Sequence, residues 1–154
     1  MSKRINILNK KAKFNYELLT KYTAGIVLTG SEIKSIRQSK ASISESFCKF
    51  DGNEELFVIN MSIEKYSSSN DDQYKPKRQR KLLLNKKELK KLLKETINSS
   101  NTIVPIKLFI NEKGLAKLDI CLAKGKKLYD KRETLKDRDN KKELDRLKKI
   151  KNQK

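Results

Sequence analysis

The chain has 154 residues, with 38 Lys plus Arg against 19 Asp plus Glu, a formal net charge of +19 and a hydrophobic fraction of 36%, below the roughly 45–50% of an average globular domain. That length fits one domain with a tail left over, and a surface so basic gathers polyanions, of which nucleic acid is the commonest in a cytoplasm. With no His, no Trp and two widely separated cysteines, Cys48 and Cys121, the composition excludes a histidine general base, a Cys/His nucleophilic pair and a Cys-x-x-Cys zinc site.

Residues 1–12 are polar and basic and are expected to be loose. Beyond them Phe14, Tyr16 and Leu18 alternate as one strand, and Gly25-Ile26-Val27-Leu28 reads as a second. Ser31 is a suitable N-cap, with Glu32 in the first turn where the helix dipole favours a carboxylate. A short helix is therefore expected over residues 31–37, turning Ile33 and Ile36 inward and Lys34 and Arg37 outward. Residues 43–63 read as a hairpin that turns at Asp51-Gly52, its return strand carrying Phe57, Ile59, Met61 and Ile63 on one face. Residues 67–80 contain no aliphatic side chain, and so long a polar stretch inside a domain is either mobile or functional. Asn85 and Glu88 form a capping box for a helix whose Leu89, Leu92, Leu93 and Ile97 make one apolar stripe. A second hairpin spans residues 102–122 and turns near Glu112-Lys113-Gly114. Its last strand puts Leu118, Ile120 and Leu122 on one face and Lys117, Asp119 and Cys121 on the other, which leaves Lys117 exposed.

These elements amount to about six short strands and two helices. The expected fold class is mainly β with short helices: an OB-fold-like small β-barrel of about six antiparallel strands, followed by a disordered basic C-terminal tail. The expected division is a basic N-terminal segment at 1–12, an RNA-binding body at 13–123 and the tail at 124–154. Residues 124–154 hold 14 Lys/Arg and 6 Asp/Glu with few apolar side chains, too little to offset the entropy of ordering. Yet Asp137–Lys141 and Asp145–Lys149 are acid-before-base pairs at i, i+4, and Leu144, Leu147 and Ile150 follow at i+3 steps. Such pairs contribute about 0.2–0.5 kcal/mol each, which makes the tail a latent helix that folds on a polyanionic partner. The N-terminus lacks an apolar segment after its basic residues, and no run nears the roughly 20 apolar residues of a membrane span. A cytoplasmic, monomeric protein with reduced thiols is expected.

Several stretches stand in a characteristic order: Asn9-Lys10-Lys11-Ala12, Gly25-Ile26-Val27-Leu28-Thr29-Gly30-Ser31-Glu32-Ile33-Lys34-Ser35-Ile36-Arg37, Arg80-Lys81-Leu82-Leu83-Leu84, and Leu122-Ala123-Lys124-Gly125-Lys126-Lys127. The last continues into Tyr129-Asp130-Lys131-Arg132 and Lys136-Asp137-Arg138-Asp139. Over nearly the whole chain the sequence resembles the SmpB family, small protein B, which binds the SsrA RNA (tmRNA). The resemblance implies a factor of trans-translation and ribosome rescue. The body would hold the tRNA-like domain of tmRNA, and the tail would enter the vacant mRNA channel of a stalled ribosome, among small-subunit rRNA, and become helical there.

Carried over by position, the family's RNA contacts fall on Glu32, Lys117 and Leu83, with Lys34, Ser35 and Arg37 in the same stretch as Glu32. Glu32 would accept hydrogen bonds from base amino groups or ribose hydroxyls; without the resemblance it is a first-turn carboxylate. Leu83 reads as support for the surface. Lys124, Lys126 and Lys127 suit phosphate contacts beside Gly125. Tyr129, Asp130, Lys131, Arg132, Lys136 and Arg138 are the expected ribosome-facing positions of the tail. The chain departs from the family pattern at Ser39, often Gly, at Tyr74 ahead of Pro76, and at Asn85 and Tyr129, where His is common. No catalytic residue, metal or cofactor is implied. The Asp71-Asp72 pair reads as solvated. The competing expectations are a ribosomal structural protein or general RNA chaperone and, less favoured, an RNA-processing enzyme.

Overall fold

A computed structural model describes residues 5–98 and 101–126, together with residues 132, 138, 140–142 and 144–146. Its elements in chain order are β1 (Asn6–Leu8), α1 (Ala12–Asn15), β2 (Tyr16–Ile26), α2 (Gly30–Arg37), β3 (Ala41–Ser42), β4 (Phe47–Phe50), β5 (Leu56–Ile59), β6 (Ser62–Ile63), β7 (Arg80–Leu83), α3 (Lys86–Asn98), β8 (Thr102–Ile110) and β9 (Ala116–Gly125). The main sheet runs β1-β8-β4-β5-β7-β2-β9, all neighbours antiparallel, and β9 pairs back onto β8. Six strands thus close into the expected OB-type barrel, which leaves no exposed hydrogen-bonding edge around its girth. β1 is added along the free part of β8, and β3 and β6 form a separate two-stranded ladder. The interior is filled by side chains such as Ala24, Ile36, Leu56, Val58, Leu82, Leu108, Leu118 and Ile120.

The two strands expected before α2 are one. β2 runs for 11 residues and pairs with β9 from Tyr16 to Gly25, with an irregularity between Leu18 and Thr20. Phe14 lies in α1 instead. The N-terminal segment is not loose where it is described: Asn6–Leu8 pairs with β8. Asn9 then donates its backbone N–H to Ile106 O at 2.8 Å and its side-chain amide to Pro105 O at 2.9 Å. Those two carbonyls flank the point where the β8–β9 register slips, so a buried asparagine satisfies backbone groups that the irregularity frees. The Asn9-Lys10-Lys11-Ala12 stretch therefore has a structural use.

The return strand of the first hairpin keeps its alternation only to Ile59. Leu56 and Val58 point inward; Asn60, at φ 65, then takes up one residue, and Met61 and Ile63 become the buried pair. Phe57 and Ile59 are half-buried on the other face, contrary to the single-face expectation. The turn is wider than a two-residue loop: Asp51 Oδ1 accepts from the N–H groups of Asn53 and Glu55. α3 is capped as expected, Asn85 Oδ1 accepting from Glu88 N at 2.8 Å. Leu92 is fully buried in the core, whereas Ile97 at the helix end is 72% exposed and is not core. In β9 the expected inner face holds, but Asp119 and Cys121 on the other face are buried as well. β9 also continues through Gly125, two residues past the expected end of the body.

Candidate nucleic-acid interface

Antiparallel pairing sets directly opposed residues on the same face of a sheet. Gly25 of β2 is opposed by Leu83 of β7 on one side and by Lys117 of β9 on the other, and Lys117 is opposed in turn by Phe109 of β8. Leu83, Gly25, Lys117 and Phe109 thus form one row across the outside of four adjoining strands. Leu83 is half exposed. Gly25 is the low point of the row: a methyl group there would stand 3.5 Å from Leu83 Cβ and 3.8 Å from Lys117 Nζ. Without a side chain at Gly25, Lys117 lies down across β2 and covers it with its methylene stem, which is why the lysine is half-buried and not freely exposed. Its charge is still available. The next carboxylate on that face, Asp119, is already engaged by Thr23 Oγ1 at 2.7 Å and Lys21 Nζ at 3.3 Å.

Glu32 sits below this row. The cap of α2 is Thr29, not Ser31: Thr29 Oγ1 accepts from Glu32 N, and Glu32 Oε1 accepts from Thr29 N at 2.9 Å, a reciprocal capping box. The same carboxylate is the partner of two arginines, Arg78 from the polar stretch ahead of β7 and Arg80, the first residue of β7. Arg80 Nε donates to Oε2 at 2.7 Å, and Arg78 donates to both oxygens, 3.1 Å from Nε to Oε2 and a closer contact from Nη2 to Oε1. Arg80 is fully buried and spends its remaining donors on Met61 O, Arg78 O and Pro76 O at 2.9, 3.2 and 3.0 Å. Burial alone would push the Glu32 carboxyl up, but the Arg78 bonds, the Thr29 amide and Arg80 outweigh it and hold the group below the usual carboxylate value. All the acceptor capacity of Glu32 is thus turned inward. In this arrangement it offers nothing to a base edge.

The triad has a net charge of +1, and Arg78, one-third exposed, carries the surplus to the surface. It also clamps the polar stretch. Tyr74 Oη donates to Ile63 O at 2.7 Å, and Ile63 N donates to Pro76 O at 3.0 Å. By holding the segment before β7 to the helix after β2, Glu32 supports the short β2–β7 pairing, which has only Gly25↔Leu83, Ile26↔Leu82 and a bond from Val27 N to Lys81 O.

The other expected residues divide. Lys34 is exposed, its ammonium 5.4 Å from the centroid of the Tyr66 ring. Arg37 is exposed at the end of α2. Ser35 is fully buried on the inward face of that helix, so its side chain is closed to a partner. Lys124 is exposed and Lys126 donates to Lys13 O at 2.9 Å; they lie seven and nine residues along from Lys117, roughly 23 and 30 Å away at about 3.3 Å per residue. They form a patch separate from the row. Lys127, Tyr129, Asp130, Lys131 and Lys136 lie outside the described residues, as does most of the stretch for which disorder was expected. Arg132 and Arg138 are helical and exposed, as are residues 140–142 and 144–146. Gly25, Arg78 and Phe109 were missed as site residues. For Arg80 a signal existed, since alternation in Arg80-Lys81-Leu82-Leu83 puts it on the face of Leu82. For Gly25 nothing short of the strand register identifies its neighbours.

Comparison with known proteins gives the family of the chain. The family model described as SmpB protein matches residues 6–150. An SsrA-binding protein of Flavobacterium psychrophilum is 64% identical over 149 residues, covering 97% of this chain and 99% of its own length. That of Christiangramia forsetii is 63% identical, covering 97% and 94%, and that of Allorhizobium ampelinum 50% identical, covering 90% and 87%. Among solved structures, a chain described under "tmRNA-SmpB: a journey to the center of the bacterial ribosome" superposes with a TM-score of 0.66 at 40% identity, covering 80% of this chain and 86% of that one. On the ordered motifs, the barrel and the match over residues 6–150, the chain belongs to the SmpB protein family.

Proposed function

We propose that this protein is an RNA-binding factor of trans-translation: its barrel binds the tRNA-like domain of tmRNA (SsrA RNA) and delivers it to stalled ribosomes, while its tail probes the vacant mRNA channel. The observation that carries the reading is the row across β7, β2, β9 and β8, a shallow apolar and cationic strip with an uncompensated lysine over a glycine floor. Such a strip suits a ribose–phosphate edge, with Leu83 against the sugar and Lys117 on the phosphate. The relatives named SsrA-binding protein support the identity of the RNA. The work is binding and delivery in the cytoplasm, with no covalent step and no cofactor. Glu32 acts in this reading through Arg78 and the β2–β7 pairing, as a positioning residue, and Arg78 joins the surface as a second cation.

A gel shift compares the tRNA-like domain with an ordinary tRNA at rising salt. The tRNA-like domain should keep its advantage as salt rises, and Lys117→Ala should weaken binding while lowering the slope of log affinity against log salt by about one unit. Equal affinity for both RNAs, with one steep common salt dependence, would point to a general RNA chaperone instead and overturn the proposal.

A further inference from the structure

Beyond Phe109 the row does not end at a rim. It runs into an open cleft of about 960 Å³ between β1, the C-terminal end of α2 and the β8–β9 turn, lined by Asn6, Arg37, Gln38, Lys107, Phe109 and Asn111 among others. Its size lies within the roughly 300–1,000 Å³ usual for a small-molecule site. The cleft and the row share Phe109, which is directly opposed to Lys117.

We infer that this cleft takes one unpaired nucleotide of the bound RNA, its base stacked on Phe109 and its phosphate held by Lys107 and Arg37. The inference rests on the RNA-binding reading above and adds a site to it. Phe109 is the aromatic surface, and Lys107 Nζ stands 4.9 Å from its ring centroid. Phe109 is half-buried; a cation over such a ring is held weakly, and a stacked base is held more strongly. An arriving base therefore displaces the ammonium, which is left beside the phosphate that follows the base. Arg37 is placed for the same phosphate from the opposite wall, its guanidinium resting against the turn, with Nη2 3.9 Å from a methyl position at Gly114. Gly114 has φ 79, so the turn stays low there and lets the arginine lie over it. Neither Arg37 nor Lys107 has an ion-pair partner among the described residues. Asn111 Oδ1 is occupied by the N–H groups of Lys113 and Leu115 at 3.1 and 2.9 Å, which leaves its amide as a donor, while Asn6 and Gln38 offer both donor and acceptor to a base edge. Glu112, the carboxylate on the wall among the described residues, disfavours a second phosphate and sets the direction in which the strand leaves.

The chain contains no Trp, so Phe109→Trp creates a single reporter in the cleft while keeping an aromatic face. In the full chain, titrated with a transcript of the tRNA-like domain, F109W should bind as tightly as the parent and lose most of its emission on binding. Phe109→Leu keeps the apolar contact without the π face and should weaken binding about tenfold, the loss of one base stack. Arg37→Gln should lower the salt slope by about one unit with the unfolding midpoint unchanged. Unchanged F109W emission at saturating RNA, or F109L binding within about twofold of the parent against the several-fold loss a stack implies, would overturn the cleft proposal while leaving the RNA-binding reading intact. Failure of the parent chain to bind the transcript would bring down both.

Discussion

At Glu32 one buried carboxylate faces two guanidinium groups, and that imbalance sets what substitutions there should do. Glu32→Ala would leave Arg80 buried and charged without its partner, and breaking such a pair costs about 3–5 kcal/mol. Denaturant unfolding at neutral pH checks this, with a large drop in midpoint expected. Glu32→Gln keeps the shape and one acceptor oxygen and should lose less. The pH dependence follows from the direction of the shift. The folded carboxyl lies below its ordinary value, so its stabilisation is present above the unfolded value and is lost as pH falls through the folded one. The difference in unfolding midpoint between the parent and E32Q should therefore narrow as pH drops below about 4.3, the ordinary value of an unperturbed glutamate. A constant difference across that range would mean that the ion triad is not what Glu32 contributes. In RNA binding, E32Q should resemble Arg78→Gln and not Lys117→Ala, because Glu32 acts on the surface through Arg78. The two buried thiols play no such part: burial pushes Cys48 and Cys121 up, which keeps both protonated and unreactive.

Among the elements, α3 allows a direct test of what its apolar stripe buries. Leu92 is fully enclosed, so Leu92→Ala should cost about 2–5 kcal/mol. Ile97→Ala, at an exposed position on the same stripe, should fall within about 0.5 kcal/mol of the parent. Paired denaturation curves measure both, and a similar loss at Ile97 would show that another surface covers the helix end. The i, i+3, i+4 spacing placed the helix and its cap correctly, since a helix and its N-cap are local. It could not say where the core ends, because the extent of a stripe that is covered depends on what the barrel beneath can reach. The same holds for the β5–β6 segment. The alternation is real, but the positive φ of Asn60 shifts its phase, and a single asparagine among apolar residues does not announce that. β2 reads as two strands because the alternation of Phe14, Tyr16 and Leu18 and the Gly25–Leu28 run are separate patterns; between them Lys21 and Thr23 face outward, where they engage Asp119.

For the whole molecule the proposed division of work between body and tail has the largest consequence. The barrel holds the row and the cleft, and Lys126 lies nine residues beyond Lys117, about 30 Å along the strand direction at about 3.3 Å per residue. Deleting the residues after Tyr129 should therefore leave affinity for the tRNA-like domain nearly unchanged in a gel shift while abolishing tagging on stalled ribosomes. Tagging by the truncated chain would remove the tail's role as a probe. The sequence by itself determined the strongly basic composition, the lack of histidine and of a Cys-x-x-Cys pair, the OB-type barrel, the capped α3 helix and the family, because these depend on composition, on local periodicity and on motifs in order. Only the tertiary structure decided that Glu32 and Ser35 face inward, that Arg78 and Arg80 share one carboxylate, and that Gly25 lies between Leu83 and Lys117. Each of those is a contact between residues some 40 to 90 positions apart, set by the register of a closed sheet, and register is a property of how strands meet rather than of any one strand.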